Sequence, residues 1–241
     1  MVAKTESKVV LNGTEDENES AAPFALLFVL EDLAVNGRKA MLEVLRSEAK
    51  GGKKRFDDRL FFRSGLSGSP AACLPTVLGG GEEPDREVLQ DIQQQIFDRL
   101  VSDKARLNPA LGSLLKAAAE RKIPTLALTS LPEETAGALA SRLRLEGFGT
   151  QLFMVKDVAG DFPAPDAWVK AARSLQRRPR ACGAVVANAR ASRGAIMAGM
   201  RFIAVPDEFT SFEDYGGATM ILDALDAVSP AELLRALFQE R

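Results

Sequence analysis

The stretch Phe24-Ala-Leu-Leu-Phe-Val-Leu30 is the first strongly apolar run of the chain, and Glu31-Asp32 follows it directly. A short, continuous apolar run predicts a β-strand buried on both faces, as in a parallel sheet. Further strands are predicted at 124–130, 151–155, 182–187, 202–205 and 220–222. Helical segments separate most of them, and this alternation indicates right-handed crossovers. We therefore expect an α/β fold with a Rossmann-like parallel sheet.

The segment between the first strand and the rest of the sheet has a different sequence pattern. Residues 34–107 contain several patterns with helical spacing and a glycine-rich loop, Gly79-Gly-Gly81. We interpret this segment as a helical cap inserted into a core made of residues 23–33 and 108–241. Residues 1–22 are polar and acidic, which predicts a flexible tail.

Composition limits the chemistry that the chain can perform. The 241 residues include 31 Lys and Arg, 33 Asp and Glu, two Cys and no His, for a formal net charge of -2. The absence of His excludes Ser-His-Asp triads, Cys-His pairs and His-ligated metals. The balanced charge gives no reason to expect a nucleic acid partner. No stretch predicts a membrane span or a signal peptide, so the expected location is the cytoplasm.

The carboxyl ends of parallel strands are where α/β proteins place their sites. The residues to inspect are therefore those that follow the strands: Val29–Asp32, Thr129–Ser130, Lys156–Phe162 and Ala187–Asn188. The pair Glu31-Asp32 by itself is more typical of a solvated loop or a helix cap than of a catalytic pair. Similarly, Arg177-Arg-Pro-Arg180 predicts a solvated turn, with binding of phosphate or an anionic partner as the alternative.

Four motifs in this order carry a resemblance to a known family. They are Leu107-Asn-Pro-Ala-Leu-Gly-Ser-Leu-Leu115, Ile123-Pro-Thr-Leu-Ala-Leu-Thr-Ser130, Pro163-Ala-Pro-Asp166 and Ala198-Gly-Met-Arg-Phe-Ile-Ala-Val205. With them, the chain from Phe24 to Leu237 resembles the haloacid dehalogenase-like (HAD) superfamily. The similarity is to the helical-cap branch, which includes phosphoglycolate phosphatase-like and β-phosphoglucomutase-like proteins.

The resemblance implies a set of catalytic groups that this sequence mostly lacks. Family members use a nucleophilic Asp, a second Asp as acid/base, a hydroxyl and a Lys for the phosphoryl group, and acidic ligands for Mg²⁺. The aligned residues here are Val29 for the nucleophile, Glu31 for the acid/base, Thr129 for the hydroxyl, Phe162 for the lysine, and Val186 and Ala187 for the acidic pair. Only Thr129 keeps the family's residue type.

These residues are compatible with two functions. The first is a HAD-like pseudoenzyme with a binding or structural role, which needs no cofactor and takes an unknown protein partner or a small ligand in the cleft between cap and core. The alternative is a divergent Mg²⁺-dependent phosphohydrolase or phosphomutase acting on a small phosphorylated metabolite. Its fallback residues are Asp32, Glu31, Lys156 and Thr129, with Asn188 as a weak candidate ligand for Mg²⁺. A true dehalogenase needs no metal but needs the same nucleophile, so Val29 counts against it too.

Overall fold

A computed structural model describes residues 23–50, 59, 61, 62, 69–79, 85–156 and 162–238. The acidic segment 1–22 and the loop Gly79-Gly-Gly81 beyond Gly79 lie outside the described residues. Among the described residues, no helix is both long and apolar enough to cross a membrane.

Six parallel strands form one sheet in the order β3-β2-β1-β4-β5-β6. Their bounds are β1 Ala25–Val29, β2 Thr125–Thr129, β3 Thr150–Met154, β4 Cys182–Val186, β5 Arg201–Ala204 and β6 Met220–Ile221. The α/β fold class and the Rossmann-like parallel sheet predicted from the sequence are confirmed. The order reverses at β1, which pairs with β2 on one side and with β4 on the other, so the ligand-binding crevice of such sheets is expected beside β1.

Eight α-helices have their bounds within the described residues. They are α1 Gly37–Lys50, α2 Pro70–Gly79, α3 Arg86–Leu100, α4 Pro109–Glu120, α5 Glu133–Arg142, α6 Pro165–Ser174, α7 Ala189–Met197 and α8 Pro230–Phe238. Helices α1 to α3 come from the segment predicted as the cap, and both α1 and α2 pack against α3. At the junction with the core, the Asn108 N–H donates to the carbonyl oxygen of Ala34 at 3.0 Å, so the two connections lie side by side.

Successive side chains of β1 point alternately into two apolar layers, one on each face of the sheet. Leu26 and Phe28 face a cluster shared with α4, α5, α8 and the cap helices, whereas Leu27 and Val29 face a cluster shared with α6 and α7. All five side chains of β1 are fully buried. This continuous burial explains why the strand reads as an unbroken apolar run.

The helix α7 approaches α6 closely because Gly194 has no side chain. A Cβ atom at position 194 would lie 2.4 Å from the carbonyl oxygen of Pro163 and 2.8 Å from Nε1 of Trp168. Trp168 is fully buried at this contact. The close approach therefore holds the indole against the sheet.

We expect Gly194→Ala to lower the free energy of unfolding by about 1–3 kcal/mol, because the added methyl group forces α6 and α7 apart. Gly137→Ala in α5 is the matched control, since no atom lies within 4 Å of the added Cβ. Its better helix propensity should raise stability by up to about 1 kcal/mol. Urea denaturation measures both, and a change of the same sign in the two variants would contradict this packing.

Candidate functional site

The residues after β1 form a buried helical turn where the sequence predicted a loop or cap. Leu30–Ala34 is a single π-helical turn, a feature often found at functional sites. Glu31 is fully buried, and the Asp32 side chain is only 1% exposed. The expectation of a solvated Glu31-Asp32 pair is therefore wrong, because the turn points both carboxylates inward.

The carboxylate of Asp32 binds a cation from the chain itself. Arg38 Nη1 donates to Asp32 Oδ1 at 2.8 Å, and Asn188 Nδ2 donates to Asp32 Oδ2 at 2.6 Å. Arg38 belongs to α1, and only 1% of its side chain is exposed. Both oxygens of Asp32, the aspartate nearest in sequence to the aligned nucleophile position, are thus already engaged.

A second carboxylate completes the pairing of Arg38. Arg38 Nε and Nη2 donate to Oδ2 of Asp207 at 2.8 and 2.7 Å. The Phe209 N–H donates to Asp207 Oδ1, which fixes the carboxylate in the loop after β5. Burial alone would lower the pKa of Arg38, but the neighbouring Asp32 and Asp207 carboxylates raise it overall, so the guanidinium stays charged. We call Asp32, Arg38 and Asp207 the ion triad.

Asn188 connects the ion triad to a helix. Its Oδ1 accepts the N–H of Ala191 at 2.8 Å and caps the N-terminus of α7, while its Nδ2 donates to Asp32. Both ends of the amide are therefore used within the protein. The amide oxygen, the atom through which Asn188 could ligate Mg²⁺, is already the helix cap.

Glu31 makes a separate contact at the end of β2. Its Oε1 accepts the N–H and the Oγ–H of Ser130 at 2.8 and 2.9 Å, and Ser130 Oγ lies 2.5 Å from Oγ of Ser69, which precedes α2. Its Oε2 is buried and finds no hydrogen-bond partner among the residues that the structure describes. Burial raises the pKa of Glu31 to about 7, although the bonds from Ser130 oppose this shift.

The remaining aligned positions are buried, and all but Thr129 are apolar. Val29 and Phe162 belong to one buried apolar cluster, and Ala187 is buried as well. Thr129 is fully buried, and its Oγ1 accepts the N–H of Leu131. Lys156 is exposed after β3. The structure thus brings together Asp32 and Asn188, but it surrounds the aligned nucleophile position with hydrocarbon.

The Mg²⁺ that the resemblance implies does not fit these residues. Mg²⁺ needs oxygen ligands in octahedral geometry, and the side chains of Val29 and Ala187 supply none. Asp32 supplies oxygens, but they already hold Arg38 and Asn188. Within the part of the chain that the structure describes, no group of three His, Cys, Asp or Glu side chains could hold a metal ion.

Three residues of this site were not singled out from the sequence as a set: Arg38, Asp207 and Ser69. The strand-end rule applied to β5 would have nominated Asp207, because it follows Ala204 by three positions. Arg38 gives no such signal, since it appears in the sequence as one cation of an amphipathic helix. Its role depends on how α1 packs on the core.

Arg38→Met should lower the free energy of unfolding by about 3–5 kcal/mol, because it leaves the buried Asp32 charge without its cation. The control is Arg142→Met, which removes an exposed ion pair with Asp103 and should cost less than about 1 kcal/mol. Chemical denaturation at neutral pH measures the two. Similar losses in both variants would show that the triad is not a buried charge network.

The raised pKa of Glu31 predicts a pH dependence of stability. Between pH 4.5 and about 7 the folded protein retains a proton that the unfolded chain releases, so the free energy of unfolding should fall as the pH rises through this range. The full effect is about 3 kcal/mol. In Glu31→Gln this contribution should vanish from stability curves measured between pH 4 and 8. A decline of equal size in both proteins would assign the pH dependence to other groups.

Comparisons with known proteins agree on the fold. No family model and no curated protein matches the sequence. Among solved structures, CbbY from Rhodobacter sphaeroides in complex with phosphate is 22% identical, with a TM-score of 0.67 over 87% of this chain and 98% of that one. A HAD hydrolase of family IA, variant 3, from Entamoeba histolytica is 16% identical, with a TM-score of 0.70 over 89% and 99% of the two chains.

The fold is also similar to that of a phosphomutase. β-Phosphoglucomutase from Clostridium difficile is 14% identical, with a TM-score of 0.69 over 88% of this chain and 96% of that one. These likenesses span nearly the whole length of the compared proteins. The chain therefore has the haloacid dehalogenase-like fold with a helical cap, as the four sequence motifs predicted.

Proposed function

We propose that this protein uses the HAD-like fold for binding or assembly and does not transfer phosphoryl groups. One observation carries the proposal: an arginine of the chain, Arg38, neutralises Asp32, the aspartate nearest in sequence to the aligned nucleophile position. Phosphoryl transfer needs a nucleophile and a cation that faces the incoming phosphate. Here the guanidinium of Arg38 is bound to Asp32 and Asp207. The residue aligned with the family's nucleophile is Val29.

The apolar surroundings of Val29 support the same proposal. An aliphatic side chain cannot attack phosphorus, and the neighbouring Phe162 offers no positive charge to a phosphate oxygen. Lys156 is exposed beyond β3 and has no described partner that would direct it to this position. Restoring activity by a shifted set of residues would need Asp32 to give up its hydrogen bonds with Arg38 and Asn188.

The binding site that we propose for a ligand or partner of this protein lies beside the ion triad. A cleft of about 450 Å³ lies against Asp32, Ala187 and Asp207 and extends along both connections between cap and core. Its borders include Asn36 and Asn108. A molecule in this cleft would contact cap and core together, which is the position we propose for the unknown partner or small ligand.

The alternative function is a divergent Mg²⁺-dependent phosphohydrolase or phosphomutase acting on a small phosphorylated metabolite. Its support is the fold, which this chain shares with β-phosphoglucomutase from Clostridium difficile and with CbbY. It would use Asp32 as the nucleophile. The two functions therefore differ in whether Asp32 is a reactive group or a structural counter-ion.

Purified protein incubated with Mg²⁺ and p-nitrophenyl phosphate should release p-nitrophenol no faster than a blank, because Asp32 is held by Arg38 and Asn188 and the residue aligned with the nucleophile is Val29. Asp32→Asn should leave this baseline unchanged. Mg²⁺-dependent turnover in the unmodified protein that disappears in Asp32→Asn would overturn the proposal and establish the hydrolase. Glu43→Gln, which changes an exposed residue of α1, controls for contaminating phosphatase that survives purification.

A further inference from the structure

A second cleft lies at the opposite end of the sheet from the ion triad. Its volume is about 800 Å³, and it borders the amino ends of β1, β4 and β5 through Phe24, Ala181 and Arg201. None of the residues aligned with catalytic groups lines it. Any function of this cleft is therefore separate from the proposed function above.

The described charges that line this cleft all have one sign. They belong to Arg178, Arg180 and Arg201, and no Asp or Glu within the described ranges borders the cleft. Arg178 and Arg180 are exposed, and neither side chain forms an ion pair or hydrogen bond with any residue in the described ranges. The chain as a whole carries a net charge of -2, so this concentration of cations is local.

The spacing of the two exposed arginines is set by a short turn. They flank Pro179, the first residue of the 3₁₀ turn Pro179–Ala181 that leads into β4. The fixed backbone angle of proline restricts this turn before any ligand arrives. Less backbone conformational entropy is therefore lost when this segment binds an anion.

An aromatic wall stands beside the arginines. The rings of Phe24 and Phe238 stack with their centroids 4.9 Å apart and an angle of 20° between their planes. Gly183 permits this arrangement, because a Cβ atom there would lie 2.9 Å from Leu237 and 3.0 Å from Phe238. Both rings are partly exposed, so the wall offers apolar surface to a ligand.

We propose that this cleft binds a small organic oxyanion, a phosphate or carboxylate group carried on an aromatic body. Guanidinium groups bind such oxyanions through paired, charge-assisted hydrogen bonds. The aromatic body packs on the Phe24–Phe238 wall, so that the apolar surface and the charged group are recognised together. The Arg177-Arg-Pro-Arg180 segment is then part of a binding site, the alternative left open by its sequence.

Isothermal titration calorimetry with phenylphosphonate tests this site, because the probe has no ester bond that a phosphatase could cleave. We expect binding to the full chain, and weakening by about tenfold or more in Arg178→Ala/Arg180→Ala. Arg173→Ala/Arg193→Ala removes the same charge from exposed positions outside the cleft and should leave the affinity unchanged. Methylphosphonate, which lacks the ring, should bind more weakly than phenylphosphonate.

Amide chemical shifts locate the bound probe. Phenylphosphonate should shift the resonances of Gly217, Ala218 and Thr219, which line the cleft. Absence of binding at about 10 mM probe, equal affinities in the two double variants, or shifts confined to the surroundings of Asp32 would each overturn the proposal. The outcome is independent of the phosphatase assay, because that assay reports on the other end of the sheet.

Discussion

The guanidinium of Arg38 is the buried charge on which the candidate site depends. A charged group removed from water must be paired and hydrogen-bonded, or it destabilises the fold. Asp32 and Asp207 supply that pairing at 2.8 and 2.7 Å, from the turn after β1 and the loop after β5. Because the triad engages Asp32 and Asp207, it determines how this part of the site is held together and removes both carboxylates from the set free to react.

The same interaction fixes the cap to the core. Arg38 lies on α1 of the predicted cap, whereas Asp207 belongs to the core, so their ion pair crosses the boundary between the two. Other contacts cross it nearby: the hydroxyls of Ser69 and Ser130 meet, and the rings of Phe61 and Phe62 contact Phe209. Moving the predicted cap away from the core would separate a buried cation from its carboxylates, which is costly in free energy.

Much of the fold was predictable from the sequence because buried segments have recognisable patterns of apolar residues. The run that contains β1 is apolar throughout since every one of its side chains is buried, and the alternation of helix and strand gives the parallel sheet. The substitutions at Val29 and Phe162 were also visible by alignment with the family motifs. The ion triad was not, because Arg38 and Asp207 are 169 positions apart and meet only through tertiary packing. The π-helical turn, which points Glu31 and Asp32 inward, has no local sequence signal either.

A crystal structure of the protein grown with Mg²⁺ and inorganic phosphate tests the central claim most directly. The account predicts the Arg38 guanidinium between Asp32 and Asp207, with Asn188 donating to Asp32 and no metal ion on either carboxylate. Electron density for Mg²⁺ coordinated by Asp32, with Arg38 displaced and phosphate beside it, would contradict the account. That result would establish Asp32 as part of a phosphoryl-transfer site.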